Sequence, residues 1–87
     1  MSSIYYDEYG WLSIDLHGCT QTEAKILLDQ QLQGAPKGMR EIRIIHGFNQ
    51  GTVLRDFVRG RYRHPRLIEK TPGINDGMTR FILRPKG

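Results

Sequence analysis

The sequence has little from which a disulfide, a membrane span or a secretion signal could be built. Cys19 is its one cysteine, so no intramolecular disulfide can form, and a reducing cytoplasm is the expected compartment. Its uninterrupted apolar runs are far shorter than a bilayer-spanning helix requires. Residues 1–8 lack the basic and apolar regions of a signal peptide. We therefore expect a cytoplasmic protein with no membrane partner.

Acidic residues are also in the minority. Nine Asp and Glu stand against thirteen Lys and Arg, which gives the 87-residue chain a formal net charge of +4. This balance favours a polyanionic partner, although many basic proteins bind none. With 38% hydrophobic residues the composition is typical of one small globular domain, expected to be a monomer. We assign residues 11–87 to that domain and residues 1–10 to a flexible N-terminal arm.

Apolar periodicity divides the domain into alternating strands and helices. Alternation of apolar and polar residues predicts strands, and Thr20 with Glu23 has the spacing of a capping box that begins a helix. The second helix would bury Leu54, Phe57, Val58 and Tyr62 on one side. The predicted strands span residues 11–17, 41–46, 67–71 and 79–84, and the predicted helices run over about 21–33 and from Thr52 to Pro65.

The resulting order, β-α-β-α-β-β, predicts an α/β (α+β) two-layer sandwich. Its mixed four-stranded sheet would carry both helices on one face, and its first two strands would be parallel because a helical crossover joins them.

The two predicted strand-to-helix junctions resemble each other. His17-Gly18 follows the first strand and His46-Gly47 follows the second. Parallel neighbouring strands place both pairs at one edge of the sheet, where open α/β sheets bind ligands. Unpaired amides at the two helix starts and the glycines would suit a phosphate there, and two imidazoles can exchange protons near neutral pH.

Asp15 and His17 are two residues apart on the first strand, with Cα atoms about 6.6 Å apart. This spacing is better suited to binding a substrate, a metal or a water molecule between the two side chains than to a direct hydrogen bond from one to the other. With His46 they could supply three metal ligands, but the tight HxxxH or CxxC spacing of a resident metal site is missing. We expect no permanently bound metal, with Mg²⁺ arriving with the substrate as the alternative.

These motifs resemble the Smr (small MutS-related) domain family. Ile14-Asp15-Leu16-His17-Gly18 resembles the LDxHG motif that opens such domains. Residues 44–51, followed by Leu54-Arg55, resemble the family's IIHGxGxG…LR signature, and Gly77-Met78-Thr79 matches its Gly-x-Thr. The resemblance covers residues 11–84 and implies a fold like the C-terminal domain of translation initiation factor three.

The resemblance also implies nucleic-acid binding, with backbone cleavage in some family members. It places the catalytic acidic and histidine pair on Asp15 and His17 and the second loop on His46, Gly47 and Gly51. The sequence departs from the family at Phe48 and Asn49, where many relatives have Lys-Gly. That loop cation is missing, and an aromatic ring that can stack on a base takes its place.

Three arginines add a basic stripe to the second predicted helix. Arg55, Arg59 and Arg63 recur every four residues and favour phosphate contacts, with a solvated helix flank as the alternative. The predicted nucleic-acid contacts are therefore Gly18, Gly47, Phe48, Asn49, Gly51, Arg55, Arg59 and Arg63.

Two hypotheses for function follow. In the first, the domain is an endonuclease in which His17 is the general acid or base and Asp15 orients it or holds a metal or water. His46 and the loop amides stabilise charge at the phosphorus. For His46 the alternative is a strand-end histidine that orients the next loop. In the second hypothesis the domain only binds branched DNA or RNA, as part of DNA repair, recombination or ribosome-associated quality control. A protein-interaction domain is a third, weaker interpretation.

Overall fold

The computed structural model describes residues 3–6, 11–47, 53–73 and 75–84. In these residues a mixed five-stranded sheet packs against two helical segments. The strands are β1 (Ser3–Tyr6), β2 (Leu12–Asp15), β3 (Glu41–Ile45), β4 (Leu67–Pro72) and β5 (Met78–Leu83). The helices are α1 (Gln21–Gly34) and α2 (Val53–Asp56), and α2 continues directly into a π-helical turn over Phe57–Arg61.

The strand order across the sheet is β1-β2-β3-β5-β4. β2 and β3 are parallel, with Asp15 opposite Ile45, and each remaining neighbouring pair is antiparallel. The α+β class and the predicted parallel pair are therefore confirmed. The two strand ends that carry the His-Gly pairs lie side by side.

The prediction of four strands missed β1. Ser3–Tyr6 pairs antiparallel with β2 and forms the edge of the sheet, so these residues are not a flexible arm. The polar and aromatic composition of the N-terminal residues suggested an arm. However, Ile and Tyr both favour extended backbone, and β2 offers them an unpaired edge.

The core lies between one face of the sheet and the helices. Ile14, Ile44 and Phe81 are fully buried on that face, and α1 adds Ala24, Leu28 and Leu32. Phe57, Val58 and Tyr62 are buried as predicted, and the partly buried Leu54 packs against the core. The other face carries polar contacts, including a two-bond ion pair between Arg80 and Glu41.

Both ends of α1 are held by side chains. At the start the predicted capping box is present, with Thr20 and Glu23 each bonding the other's backbone amide. At the end the buried guanidinium of Arg66 donates to the carbonyls of Leu32, Ala35 and Pro36. A cation at this end also complements the helix dipole. No helix in the described ranges is long and apolar enough to cross a bilayer.

The second helix is shorter than predicted. It ends at Arg61, where the amide of Tyr62 donates to the carbonyl of Phe57 five residues back. This wider turn changes the helical period, and Tyr62 itself is extended. Arg63 therefore lies beyond the helix, and the stripe of three arginines along one helix face is not formed.

Candidate functional site

The carboxyl ends of β2 and β3 open onto a cleft of about 410 Å³. The amide of Leu16 donates to the carbonyl of Ile45 at 2.8 Å, which extends the parallel pairing to the last turn before each loop. Gly18 and Gly47 turn the chain there with positive φ angles of 83° and 74°. The cleft is lined by Gly18, Cys19, Thr20, Gln21, Thr22, His46, Val53 and Leu54.

Asp15 and His17 form a hydrogen-bonded pair at this edge. Asp15 Oδ1 lies 2.7 Å from His17 Nδ1 and also accepts the His17 backbone amide at 3.0 Å. The expectation that their spacing disfavours a direct bond was wrong, because β2 ends at Asp15 and His17 belongs to the following turn. The His17 side chain is 63% exposed, so a substrate can reach the ring from solvent.

His46 is buried, with only 4% of its surface exposed. Its Nδ1 lies 3.1 Å from the carbonyl of Gly47 and its Nε2 lies 2.8 Å from Thr79 Oγ1. Burial lowers the pKa of His46, and the charges of Arg59 and Arg55 add to that effect against the opposing bond to Gly47. A neutral ring protonated at Nδ1 fits these contacts, since Nδ1 faces a carbonyl oxygen, which only accepts.

The structure does not bring His46 into the Asp15–His17 pair. Asp15 follows the buried Ile14 and points to the opposite face of the sheet, whereas His46 bonds Thr79, which pairs with Ile44 on the helix-covered face. Asp15 and His46 therefore face opposite sides of the sheet, and the hydrogen-bond partners of His46 are Gly47 and Thr79 rather than the Asp15–His17 pair.

Four backbone amides near the cleft donate hydrogen bonds within the fold. His46 and Gly47 both donate to the carbonyl of Gly77, and Cys19 donates to the carbonyl of Leu16. The amide of Thr20 is taken by the capping box. These four amides are therefore not available to a phosphate, and the cationic side chains become candidates for anion contacts.

Two of the three predicted arginines come together beside this edge. Arg59 Nε donates to Thr79 Oγ1 at 2.8 Å, and Arg59 Nη2 donates to the carbonyl of Met78 at 3.0 Å. The Nη1 groups of Arg55 and Arg59 both point to the carboxylate of Asp76, at 2.7 and 3.3 Å. His46, Thr79, Arg59, Asp76 and Arg55 thus form one continuous polar chain.

Arg63 does not join this chain. Its Nη1 donates to the carbonyls of Gly60 and Tyr62. It lines two other clefts beside His64 and Pro65, neither of which includes a residue of the His-Gly loops.

Three predicted contact residues, Phe48, Asn49 and Gly51, lie outside the described residues. Within the described ranges, no three His, Cys, Asp or Glu side chains are arranged to hold a metal ion. Asp15, His17 and His46 therefore do not form the three-ligand set considered from the sequence.

The arrangement offers a proton-exchanging pair and, separately, a convergent pair of cations. Sequence reasoning missed the parts that Thr79 and Asp76 play. The Gly-x-Thr motif pointed to Thr79 without a role, and nothing in the sequence marked Asp76, which meets the arginines across a loop.

Comparison with known proteins gives two findings. The family description of the Smr domain matches residues 14–73. The fold is similar to the crystal structure of the Smr domain of Thermus thermophilus MutS2, with a TM-score of 0.69 and 28% sequence identity over 84% of this chain and 98% of that one. Among curated proteins none matches.

Proposed function

This chain belongs to the Smr domain family. On that premise we propose that it binds nucleic acid across the sheet edge formed by the carboxyl ends of β2 and β3, and that it cleaves the phosphodiester backbone there. Smr domains are nucleic-acid-binding, nuclease-like modules. The basic charge of the chain suits such a partner.

One observation carries the proposal, namely the exposed Asp15–His17 pair. The 2.7 Å bond to Asp15 orients the imidazole through Nδ1, so His17 Nε2 is the atom that exchanges a proton with the substrate. As general base it takes the proton of the attacking oxygen, which is water or an RNA 2′-hydroxyl. The new phosphorus–oxygen bond forms as the bond to the leaving oxygen breaks, the leaving oxygen takes a proton from solvent water, and His17 returns its proton to solvent.

His46 acts in this proposal as a positioning residue. Both of its ring nitrogens are hydrogen-bonded and its pKa is lowered, so it is a poor proton donor to the substrate. Through Thr79 it orients Arg59, whose charge, together with that of Arg55, stabilises the anionic backbone. The geometry thus favours the alternative in which His46 supports the site rather than reacting in it.

The test is cleavage of supercoiled plasmid and of structured RNA, each with and without Mg²⁺. His17→Ala should lower the rate by about 10²–10⁴-fold, the usual contribution of a general acid or base. His64→Gln is the matched control, because His64 is a partly exposed histidine that lines clefts away from this edge.

Binding of the same nucleic acids, measured in parallel, separates the two hypotheses. If the wild type and an Asp15→Ala/His17→Ala double variant show equal, background cleavage, catalysis is excluded. Salt-dependent binding without cleavage would then support the non-catalytic module for DNA or RNA. Absence of binding would overturn both.

A further inference from the structure

Asp76 lies between two arginines that sequence analysis assigned to phosphate contacts. Its Oδ2 accepts from Arg55 at 2.7 Å and its Oδ1 from Arg59 at 3.3 Å. The hydrogen bond from Arg59 and the charge of Arg55 lower the pKa of Asp76, so the carboxylate is anionic. Asp76 therefore bridges two cations at the sheet edge, and Arg55 Nε also lies 3.6 Å from Asp56 Oδ1.

The arginines and Asp76 differ in their hydrogen bonds to the rest of the fold and in their exposure to solvent. Arg59 is held in place by two further hydrogen bonds. Thr79 Oγ1 accepts from its Nε, and the Met78 carbonyl accepts from its Nη2. The side chains of Arg55 and Arg59 are 26% and 31% exposed, whereas that of Asp76 is 64% exposed. Arg59 is thus preorganised, and Asp76 is the more solvent-exposed partner of both arginines.

Such an exposed ion pair contributes little to folding, so stability alone gives little reason for two arginines to converge here. Convergent guanidinium groups are the arrangement that recognises phosphate as well as carboxylate. The position also fits, since Leu54, beside Arg55, and His46, which reaches Arg59 through Thr79, both line the cleft.

We propose that Arg55 and Arg59 form a subsite for a backbone phosphate of nucleic acid, and that Asp76 occupies this subsite when nucleic acid is absent. Asp76 is then an internal competitor that weakens binding. The inference rests on the proposed function, since it concerns how the same edge takes its nucleic acid.

The test compares Asp76→Asn with Glu69→Gln. Each substitution removes one negative charge from an exposed side chain, but Glu69 lies on β4 and is not among the hydrogen-bond or ion-pair partners of either arginine. Binding of fluorescein-labelled single-stranded RNA and duplex DNA is measured by anisotropy over a series of salt concentrations. Arg55→Gln and the Arg55→Gln/Asp76→Asn double variant complete the set.

We expect Asp76→Asn to bind about two- to fivefold more tightly than Glu69→Gln, the effect of removing one exposed competing pair. The slope of log affinity against log salt should become steeper by about one, because an arginine freed of Asp76 neutralises one more phosphate and releases the counterion condensed on it. In the Arg55→Gln background the gain from Asp76→Asn should shrink, since one of the two cations is gone.

Other outcomes separate this inference from the proposed function. If the wild type binds nucleic acid and Asp76→Asn matches Glu69→Gln in affinity and salt slope, the internal competitor is excluded and the proposed function stands. A full gain that persists without Arg55 also overturns the inference. If no variant binds either nucleic acid, the proposed function fails and the inference fails with it.

Discussion

Thr79 and His46 are joined by a 2.8 Å hydrogen bond between Oγ1 and Nε2, although 33 residues separate them in the chain. The same oxygen accepts from Arg59 Nε, so the hydroxyl proton is directed to the histidine. The motif histidine of the second loop is therefore linked to a cation of the second helix. This link couples the position of His46 to that of Arg59.

Replacing Thr79 by Val should test that link. Val keeps the shape but leaves His46 Nε2 and Arg59 Nε without their shared partner, in a site where Thr79 is 1% exposed. We expect the free energy of unfolding to fall by about 1–3 kcal/mol, the cost of stranding buried polar groups. Nucleic-acid binding should weaken as well, because Arg59 loses its orientation.

Thr79→Ser is the matched control, since it restores the hydroxyl. Chemical denaturation and anisotropy are the measurements. Binding by Thr79→Val as tight as that by Thr79→Ser would show that the hydroxyl does not position Arg59.

Stability should depend on pH through His46 and His64. The folded-state pKa of each is lowered from its ordinary value of 6.5, mainly by burial. The unfolded chain therefore binds more protons than the fold as pH drops through that value, and the free energy of unfolding must decrease. Stability from this source is complete above about pH 6.5 and is lost progressively below it.

Denaturant unfolding of the wild type, His46→Gln and His64→Gln between about pH 8 and pH 5 measures this effect. Each substitution should remove part of the dependence of the free energy of unfolding on pH. Asp29 and Asp76 do not interfere, because their pKa values are lowered from 3.8 and both stay ionised throughout this range. A His46→Gln variant that keeps the whole slope of the wild type would contradict the assignment of His46 as a buried neutral ring.

Arg66 should matter for folding and not for binding. Its side chain is buried, with 7% of the residue exposed, and it donates to three carbonyls at the end of α1. Arg66→Met should reduce the free energy of unfolding by about 1–3 kcal/mol. Arg66→Lys should recover only part of this, because one ammonium cannot reproduce the guanidinium fork.

Arg40→Met is the control, since Arg40 is exposed and its loss should change stability by no more than about 0.5 kcal/mol. Thermal unfolding ranks the variants. Equal melting temperatures for Arg66→Met and Arg40→Met would show that the carbonyl contacts add nothing.

Local patterns in the sequence predicted the features that depend on neighbouring residues. The capping box of α1 follows from Thr20 and Glu23, three residues apart. The parallel pairing of β2 with β3 follows from the helix that joins them. Their adjacent carboxyl ends then located the candidate site.

Contacts between distant residues were not predictable in this way. Arg66 reaches the end of α1 from more than 30 residues away, and Asp76 meets Arg55 across 21. Regular strand geometry also gave the wrong expectation that Asp15 and His17 form no direct hydrogen bond, because a single turn after β2 brings their side chains together. The π-helical turn moved Arg63 off the helix, and no periodic pattern marks such a turn.

Arg55 and Arg63 give the final prediction, because four-residue spacing placed them in one stripe and the structure separates them. Arg55 donates to Asp76 near the carboxyl ends of β2 and β3, whereas Arg63 donates to the carbonyls of Gly60 and Tyr62. Arg55→Gln and Arg63→Gln remove the same charge, so general attraction to a polyanion falls equally in both.

Only Arg55→Gln should also lose a phosphate contact. We expect its affinity for duplex DNA or single-stranded RNA to fall about three- to tenfold and its salt slope to decrease by about one. Arg63→Gln should stay within about twofold of the wild type, since it lacks that contact. Anisotropy titrations at several salt concentrations measure both quantities. Equal losses in the two variants would mean that the bound nucleic acid follows the whole basic surface, and the edge of β2 and β3 would no longer define the site.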